Sequence, residues 1–220
     1  MTLDAVRTSA HDMQLEILGA FHPGADDMAP AGTGTMVLLG PREPGFWDHF
    51  TQSAEWRDGA PDPMDRWSTR VITALAQTHN ATPLFPFGGP PYQPFMRWAL
   101  ASGETWASPV SLLVHAKAGL MVSFRGALAL REVLDLPPTP HRPCDACAAQ
   151  PCLTACPSGA LTGAGYDVPK CHDFLDTDGG AAHLQKGCNV RRACPVSQSY
   201  ARVEAQSAYH MSMFHKGGTS

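Results

Sequence analysis

The distribution of cysteines constrains this chain more than any other feature. All seven lie between Cys144 and Cys194, and the first four follow the spacing Cys-x2-Cys-x4-Cys-x3-Cys-Pro. Thiolates are the soft, anionic donors that iron requires, and short spacers let one loop surround a cluster while a distant cysteine supplies the last ligand. The spacing therefore predicts an iron–sulfur cluster.

Two other roles of clustered cysteines stay open at this point. Disulfides require an oxidising compartment, but the N-terminus lacks the apolar segment of a signal peptide and the cysteine count is odd. Structural zinc needs four ligands in two close pairs, whereas the first four cysteines are too many for one short knuckle. We therefore favour iron–sulfur over zinc, and zinc over disulfides.

The remaining cysteines are less regular and look like a degraded second ferredoxin motif, Cys188-x5-Cys194-Pro195, preceded by Cys171. In two-cluster ferredoxins the last cysteine of each motif ligates the other cluster. This resemblance implies two ligand sets. They are Cys144, Cys147, Cys152 and Cys194 for a first 4Fe-4S cluster, and Cys156, Cys171 and Cys188 for a second.

The second set is one thiolate short. Arg191 stands where a partner of Cys188 is expected, and arginine cannot lose its proton to bind iron. Three arrangements remain open: a degenerate 3Fe-4S cluster, a cubane with a histidine ligand such as His172 or His183, or no second cluster.

Composition limits the partners. A chain of 220 residues with 44% hydrophobic content can bury one full core and a small appendage. The net charge of −4 gives no basic footprint for nucleic acid. No apolar run approaches the roughly 18 residues of a membrane helix. With unpaired thiols, these features predict a cytoplasmic protein that contacts neither nucleic acid nor membrane.

A proline-rich connector divides the chain near Pro138, which predicts an N-terminal domain over 1–138 and an iron–sulfur module with a C-terminal helix over 139–220. Apolar periodicity predicts elements of both kinds within these parts. The strands are Gln14–Phe21, Thr35–Leu39, Pro109–Val114 and Leu120–Phe124, and the helices are Phe46–Trp56, Met64–Thr78, Phe95–Ala101 and a last one capped by Ser197.

A candidate cofactor pocket lies in the Gly-, Pro- and aromatic-rich stretch 85–95, because glycines allow close approach and prolines stiffen the loop. Its candidate residues are Phe87, Gly88, Gly89 and Tyr92. We add Arg125 as a partner for phosphate or propionate, and His115 as an axial ligand or proton donor. The alternatives are a rigid surface crossover and a hydrogen-bonded core histidine.

The stretch 108–128, followed by the two cysteine runs, resembles the corrinoid-dependent epoxyqueuosine reductase and reductive dehalogenase group. That group joins a corrinoid-binding domain to a two-cluster ferredoxin module, in the order found here. Trp106 stands where epoxyqueuosine reductase has an aspartate as its proposed proton donor. We therefore do not expect queuosine chemistry on tRNA.

The cysteine-free part resembles the cobalamin-processing protein of the CblC type in Ala20-Phe-His-Pro23, Asp62-Pro-Met-Asp65 and the stretch from Val114 to Pro138. The resemblances imply an α+β chain: a nitroreductase-like (CblC-type) sheet-and-helix domain followed by a small ferredoxin-like iron–sulfur module. They also imply cobalamin or flavin as a second cofactor.

These observations predict an iron–sulfur electron-transfer protein that reduces a bound corrinoid, flavin or small substrate. Its partners would be a redox protein or a small-molecule substrate. The alternative is a non-catalytic, cluster-stabilised binding or redox-sensing protein, which the missing acid at Trp106 and the missing second-cluster cysteine favour.

Overall fold

The computed structural model describes residues 1–216, which fall into two compact units. The first comprises Met1–Thr105 and Ser123–Pro140, and the second comprises Trp106–Val122 and the chain from His141 onward. The chain passes from the first unit into the second for the last time near the predicted boundary. The sequence pattern did not, however, assign Trp106–Val122 to the second unit. This segment contributes apolar side chains to the core on which the cysteines pack. It therefore belongs to the second unit because of its packing, although it precedes the connector in the sequence.

The chain is α+β, with helices and small antiparallel sheets. The helices are α1 Leu3–Asp12, α2 Phe46–Thr51, α3 Ala54–Arg57, α4 Pro63–Thr78, α5 Phe95–Ala101, α6 Val168–Leu175, α7 Ala181–Lys186, α8 Asn189–Ala193, α9 Pro195–Ser199 and α10 Glu204–Lys216. The strands are β1 Leu15–Phe21, β2 Thr35–Pro41, β3 Thr82–Leu84, β4 Thr105–Ala107, β5 Leu113–His115, β6 Gly126–Leu130, β7 Leu161–Thr162 and β8 Gly165–Tyr166.

The first unit is built on an antiparallel sheet with the order β1-β2-β6-β3. Every residue of β1, β2 and β6 is buried, which explains why these strands are mostly apolar. Helices α1 and α5 pack on β1, and α4 packs on β3 and β6. Trp67 of α4 is fully buried and meets Phe46 and Phe50 of α2 edge-to-face, a favoured aromatic arrangement.

The predicted helix over Phe46–Trp56 is two short helices. The hydroxyl of Ser53 accepts a hydrogen bond from the amide of Trp56 at 3.3 Å and caps α3, so the chain begins a new helix instead of continuing α2. The predictions for β1, β2, α4 and α5 are confirmed to within two residues at each end.

The predicted strand Leu120–Phe124 is wrong, and the strand lies further on, at β6. Gly119 adopts a positive φ of 56° and closes a turn with His115, so the residues that follow do not continue as a β-strand. The amide of Leu120 donates instead to the hydroxyl of Ser197 at 2.8 Å. Ser111 has a φ of 59°, and of the predicted strand Pro109–Val114 only Leu113 and Val114 belong to β5.

The predicted final helix is also interrupted. Ala201 has a φ of 60° and separates α9 from α10. Ser197 lies inside α9 and binds Leu120, so it does not cap the last helix. Among residues 1–216, no helix is long and apolar enough to cross a membrane.

Candidate functional site

The seven cysteines form two groups around two separate cavities of the second unit, and each is a free thiol. The first cavity, of about 260 Å³, is bordered by Cys144, Cys147, Cys152 and Cys194. The second, of about 30 Å³, is bordered by Cys156, Cys171 and Cys188. We call them the four-thiol and three-thiol cavities. The grouping is the one that the ferredoxin pattern predicts.

Prolines set the backbone of the four-thiol cavity. Pro143 and Pro151 each begin a short 3-10 turn, a position that suits their fixed φ, so Cys144 and Cys152 follow within the first turn. Cys194 lies in extended conformation between α8 and α9, where it ends one helix and caps the next. Elements far apart in sequence therefore present their thiols to one space.

The thiols of the four-thiol cavity disfavour one another's ionisation. Burial raises the pKa of Cys144, Arg142 lowers it, and the neighbouring Cys152, Cys194 and Cys147 raise it further. Burial also raises the pKa of Cys152. Soft donors that are costly to ionise alone are stabilised as thiolates by a bound cation, so these thiols have the chemistry of metal ligands.

Cys156 of the three-thiol cavity has a different environment. Burial acts to raise the pKa of its thiol, but the Ser158 hydroxyl and the backbone amides of Leu161 and Ala160 donate hydrogen bonds to sulfur and lower the pKa overall. Hydrogen bonds of this kind stabilise a thiolate and tune the potential of a cluster that it holds.

Cys171 lies on α6 and Cys188 lies at the N-cap of α8. Burial raises the pKa of the Cys171 thiol, the Tyr166 hydroxyl lowers it through a hydrogen bond, and Cys188 and Cys156 raise it. Burial and the same hydrogen bond raise the pKa of Tyr166. All three cysteines border the same cavity.

The two candidate histidines have different surroundings. His183 of α7 borders the three-thiol cavity, and its buried Nδ1 has no hydrogen-bond partner among the described residues. Burial and nearby Arg192 lower its pKa and favour the neutral imidazole. His172 is not among the residues bordering this cavity; its Nδ1 lies 3.0 Å from Nδ1 of His215, and its ring stacks on Phe214.

Arg191, at the expected position of a fourth cysteine, binds elsewhere. Its guanidinium donates a hydrogen bond to the backbone carbonyl of Leu120 and does not border the three-thiol cavity. The side chain therefore ties α8 to the turn after Gly119.

In the described part of the chain, no three His, Cys, Asp or Glu side chains converge closely enough to hold a single metal ion. The thiols instead border a space. A cubane places its own iron and sulfide atoms between its ligands, whereas a single zinc ion holds each sulfur at about 2.3 Å. The four-thiol cavity has the larger volume for such a group, and the three-thiol cavity is much narrower.

One apolar core supports both groups of thiols. It consists of Val110, Val114, Leu120, Cys152, Leu161 and Val190. Cys144 and Cys194 pack against it from the four-thiol group, and Cys156 and Cys188 from the three-thiol group. Both groups of thiols therefore pack on one apolar core, to which Trp106–Val122 contributes Val110, Val114 and Leu120.

In the first unit, Phe87 and Gly88 border an open cavity of about 500 Å³, together with Asp65, Arg66 and Arg70 among others. Gly89 has no space for a side chain, because a Cβ there would lie 2.7 Å from the Tyr92 ring. Tyr92 itself is 67% exposed and does not border this cavity.

The cations around this cavity are already paired. Arg125 binds the Asp65 carboxylate, donates to the Ser68 hydroxyl at 3.0 Å and lies 5.4 Å from the centre of the Phe87 ring. Arg66 binds Asp58 at 2.7 Å, and Arg70 binds Glu55 at 2.5 Å. A phosphate or propionate would have to compete with these carboxylates.

His115 belongs to the second unit, whereas the Phe87–Tyr92 loop belongs to the first. It is 1% exposed, and its Nδ1 accepts hydrogen bonds from the amides of Lys117 and Ala118, each at 3.0 Å. The ring holds the turn that leads to Gly119, as expected of a hydrogen-bonded core histidine.

Comparisons of the chain with protein-family models, with curated proteins and with solved structures find no match. Its function is therefore inferred from its own residues.

Proposed function

We propose that this protein is an iron–sulfur electron-transfer protein whose second unit binds two clusters in a ferredoxin-like arrangement. One observation carries the proposal: the two groups of thiols are interleaved along the chain. Cys194, the last cysteine, borders the same cavity as Cys144. Cys156 borders the other cavity, with Cys171 and Cys188, although it is closer in sequence to the first group. Such an exchange is characteristic of two-cluster ferredoxins.

When bound, a cluster takes up and releases single electrons. The chain provides apolar surroundings on the core side, which keep water away, and hydrogen bonds to Cys156 that stabilise its thiolate. Because both groups pack on one small core, both centres would lie beside that core, an arrangement suited to passing an electron between them.

The electron acceptor is a corrinoid, a flavin or a small substrate held by a nitroreductase-like (CblC-type) first unit. Its sheet with helices packed on it and the open cavity at Phe87 and Gly88 support this part of the proposal. Its paired arginines favour a ligand that does not depend on a strong anion site.

A second candidate function is a cluster-stabilised binding or redox-sensing protein without catalysis. The pairing of Arg66, Arg70 and Arg125 with carboxylates favours it, because no free cation is offered to a cofactor phosphate among these three. In this case the clusters would stabilise the second unit or report oxidation.

The test is anaerobic purification followed by assay of iron, acid-labile sulfide and zinc, with EPR of the reduced protein. We expect brown protein with about equal iron and sulfide and a reducible EPR signal. Colourless protein with stoichiometric zinc would refute both candidate functions.

Titration with hydroxocobalamin and with flavin mononucleotide then separates the two functions. A shift in the cofactor spectrum, followed by its reduction when the clusters are reduced, supports electron transfer to a bound cofactor. If neither cofactor binds, the corrinoid and flavin assignments fail and the redox-sensing function is favoured.

A further inference from the structure

The three-thiol cavity raises the question of what completes its ligand set. Cys156, Cys171 and Cys188 supply three of the four protein ligands that a cubane takes. Arg191 is not available as a substitute, because its guanidinium is bound to the carbonyl of Leu120. The candidates for a fourth ligand are therefore the other side chains at the cavity.

His183 has the chemistry and the position. Imidazole is an established iron ligand, and histidine replaces cysteine on iron in some iron–sulfur proteins. The ring borders the cavity beside the three thiols and packs against Phe174, with ring centroids 5.2 Å apart. Its Nδ1 is buried without a hydrogen-bond partner in the described part of the chain. Buried nitrogens of this kind are normally satisfied, and binding to iron would satisfy this one.

The other polar side chains at the cavity are engaged. Asn189 donates to the carbonyl of Ala155 at 3.2 Å and accepts from Arg192 at 2.9 Å. Ser158 lies 3.5 Å from the sulfur of Cys156, so its hydroxyl already serves a ligand. Met211 also borders the cavity and is the alternative donor, through its thioether.

His172 does not compete for this role. Its Nδ1 lies 3.0 Å from His215, which in turn binds Asp176 at 2.9 Å, and its ring stacks on Phe214. The side chain is held against α10 and is absent from the lining of the cavity.

We infer that the imidazole of His183 is the fourth protein ligand of the second cluster, completing Cys156, Cys171 and Cys188; the inference rests on the proposed function. A neutral imidazole in place of a thiolate leaves the cluster less negative, and a less negative cluster is more easily reduced. The second centre therefore has a higher reduction potential than it would have with four cysteines, which suits it to receive electrons from the first.

The test uses the full chain labelled with ¹⁵N-histidine, loaded anaerobically with iron and sulfide, reduced and examined by pulsed EPR. We expect a histidine nitrogen coupled to one cluster spin, in protein with about eight irons per chain. This measurement needs no variant, so a folding defect cannot obscure it.

Two variants make the assignment specific. His183→Cys should keep about eight irons, lose the nitrogen coupling and lower the potential of the second centre. The matched control His172→Ala should retain the coupling. The inference is overturned by a second cluster without nitrogen coupling, by a three-iron signal, by coupling that persists in His183→Cys, or by zinc at the second site.

The same data separate this inference from the proposed function. If His183 is not a ligand, the first cluster and its about four irons remain. If the proposed function fails, no cluster is bound at either site.

Discussion

Replacing Ser197 by alanine should destabilise the second unit selectively. The Ser197 hydroxyl accepts the hydrogen bond of the Leu120 amide at 2.8 Å, and the two residues are 3% and 1% exposed. In Ser197→Ala the amide has no acceptor and no access to water. A buried donor left unsatisfied costs about 1–3 kcal/mol, so we expect a loss of about 2 kcal/mol in the free energy of unfolding.

The assay is anaerobic urea unfolding of cluster-loaded protein, followed with two probes. Cluster absorbance reports the second unit, and tryptophan fluorescence mainly reports the first, because Trp106 alone of the five tryptophans belongs to the second. With a urea dependence of about 2 kcal/mol per M, the midpoint of the absorbance transition should fall by about 1 M. The fluorescence midpoint should not move.

Ser199→Ala is the matched control, because Ser199 lies on the same helix but is exposed, and its hydroxyl donates to the carbonyl of Pro195 within that helix at 3.4 Å. It should change stability by no more than about 0.5 kcal/mol. Equal midpoints for the two variants would refute the claim that the Ser197 bond joins Trp106–Val122 to the cysteine module.

Two further predictions concern charged residues. Arg191→Cys should lower stability by about 1–3 kcal/mol, because it removes the charged donor to the Leu120 carbonyl. Because the proposed fourth ligand is His183, the iron content should stay unchanged. Iron assay and urea unfolding check this, and a rise in iron would contradict it. The hydrogen bond from Arg70 lowers the pKa of Glu55, so this pair stabilises the protein above the ordinary carboxyl range and loses its effect as the pH falls through the lowered pKa. Glu55→Gln should therefore lower the melting temperature at neutral pH and not in acid; an equal difference at both would contradict the assignment.

Local patterns predicted the first unit best. β1 and β2 are apolar runs between Gly- and Pro-rich segments, and α4 carries its apolar side chains at helical spacing, so their signals lie within the elements themselves. The break between α2 and α3 also had a local signal, in the capping residue Ser53, which the helical spacing of the aromatic residues outweighed.

The structure of the second unit depends on contacts between residues that are far apart in the sequence, which a local pattern does not reveal. Leu120 binds Ser197, which is 77 residues away, and this bond together with the turn at Gly119 replaces a strand that the apolar pattern indicated. The assignment of Trp106–Val122 to this unit follows from the same contacts. A pattern of apolar residues reports that a segment is buried but not against which part of the chain.

For the candidate site, the order of the cysteines was enough to divide them into two groups, because the ferredoxin pattern specifies an exchange between motifs. The choice between His172 and His183 was not available from sequence. It depends on α10, whose His215 and Phe214 engage His172 and leave His183 at the cavity. His115 had no sequence signal for its structural role beyond its place before Lys117 and Gly119.

The most direct test of the two-cluster account is the EPR spectrum of reduced Cys147→Ala and Cys171→Ala, compared with that of the unmodified protein. These thiols border different cavities. If each group of thiols holds its own cluster, each variant loses about half of about eight irons and a different component of the spectrum, and the other component is unchanged. Loss of the same component in both variants, or an unchanged spectrum in either, would contradict it.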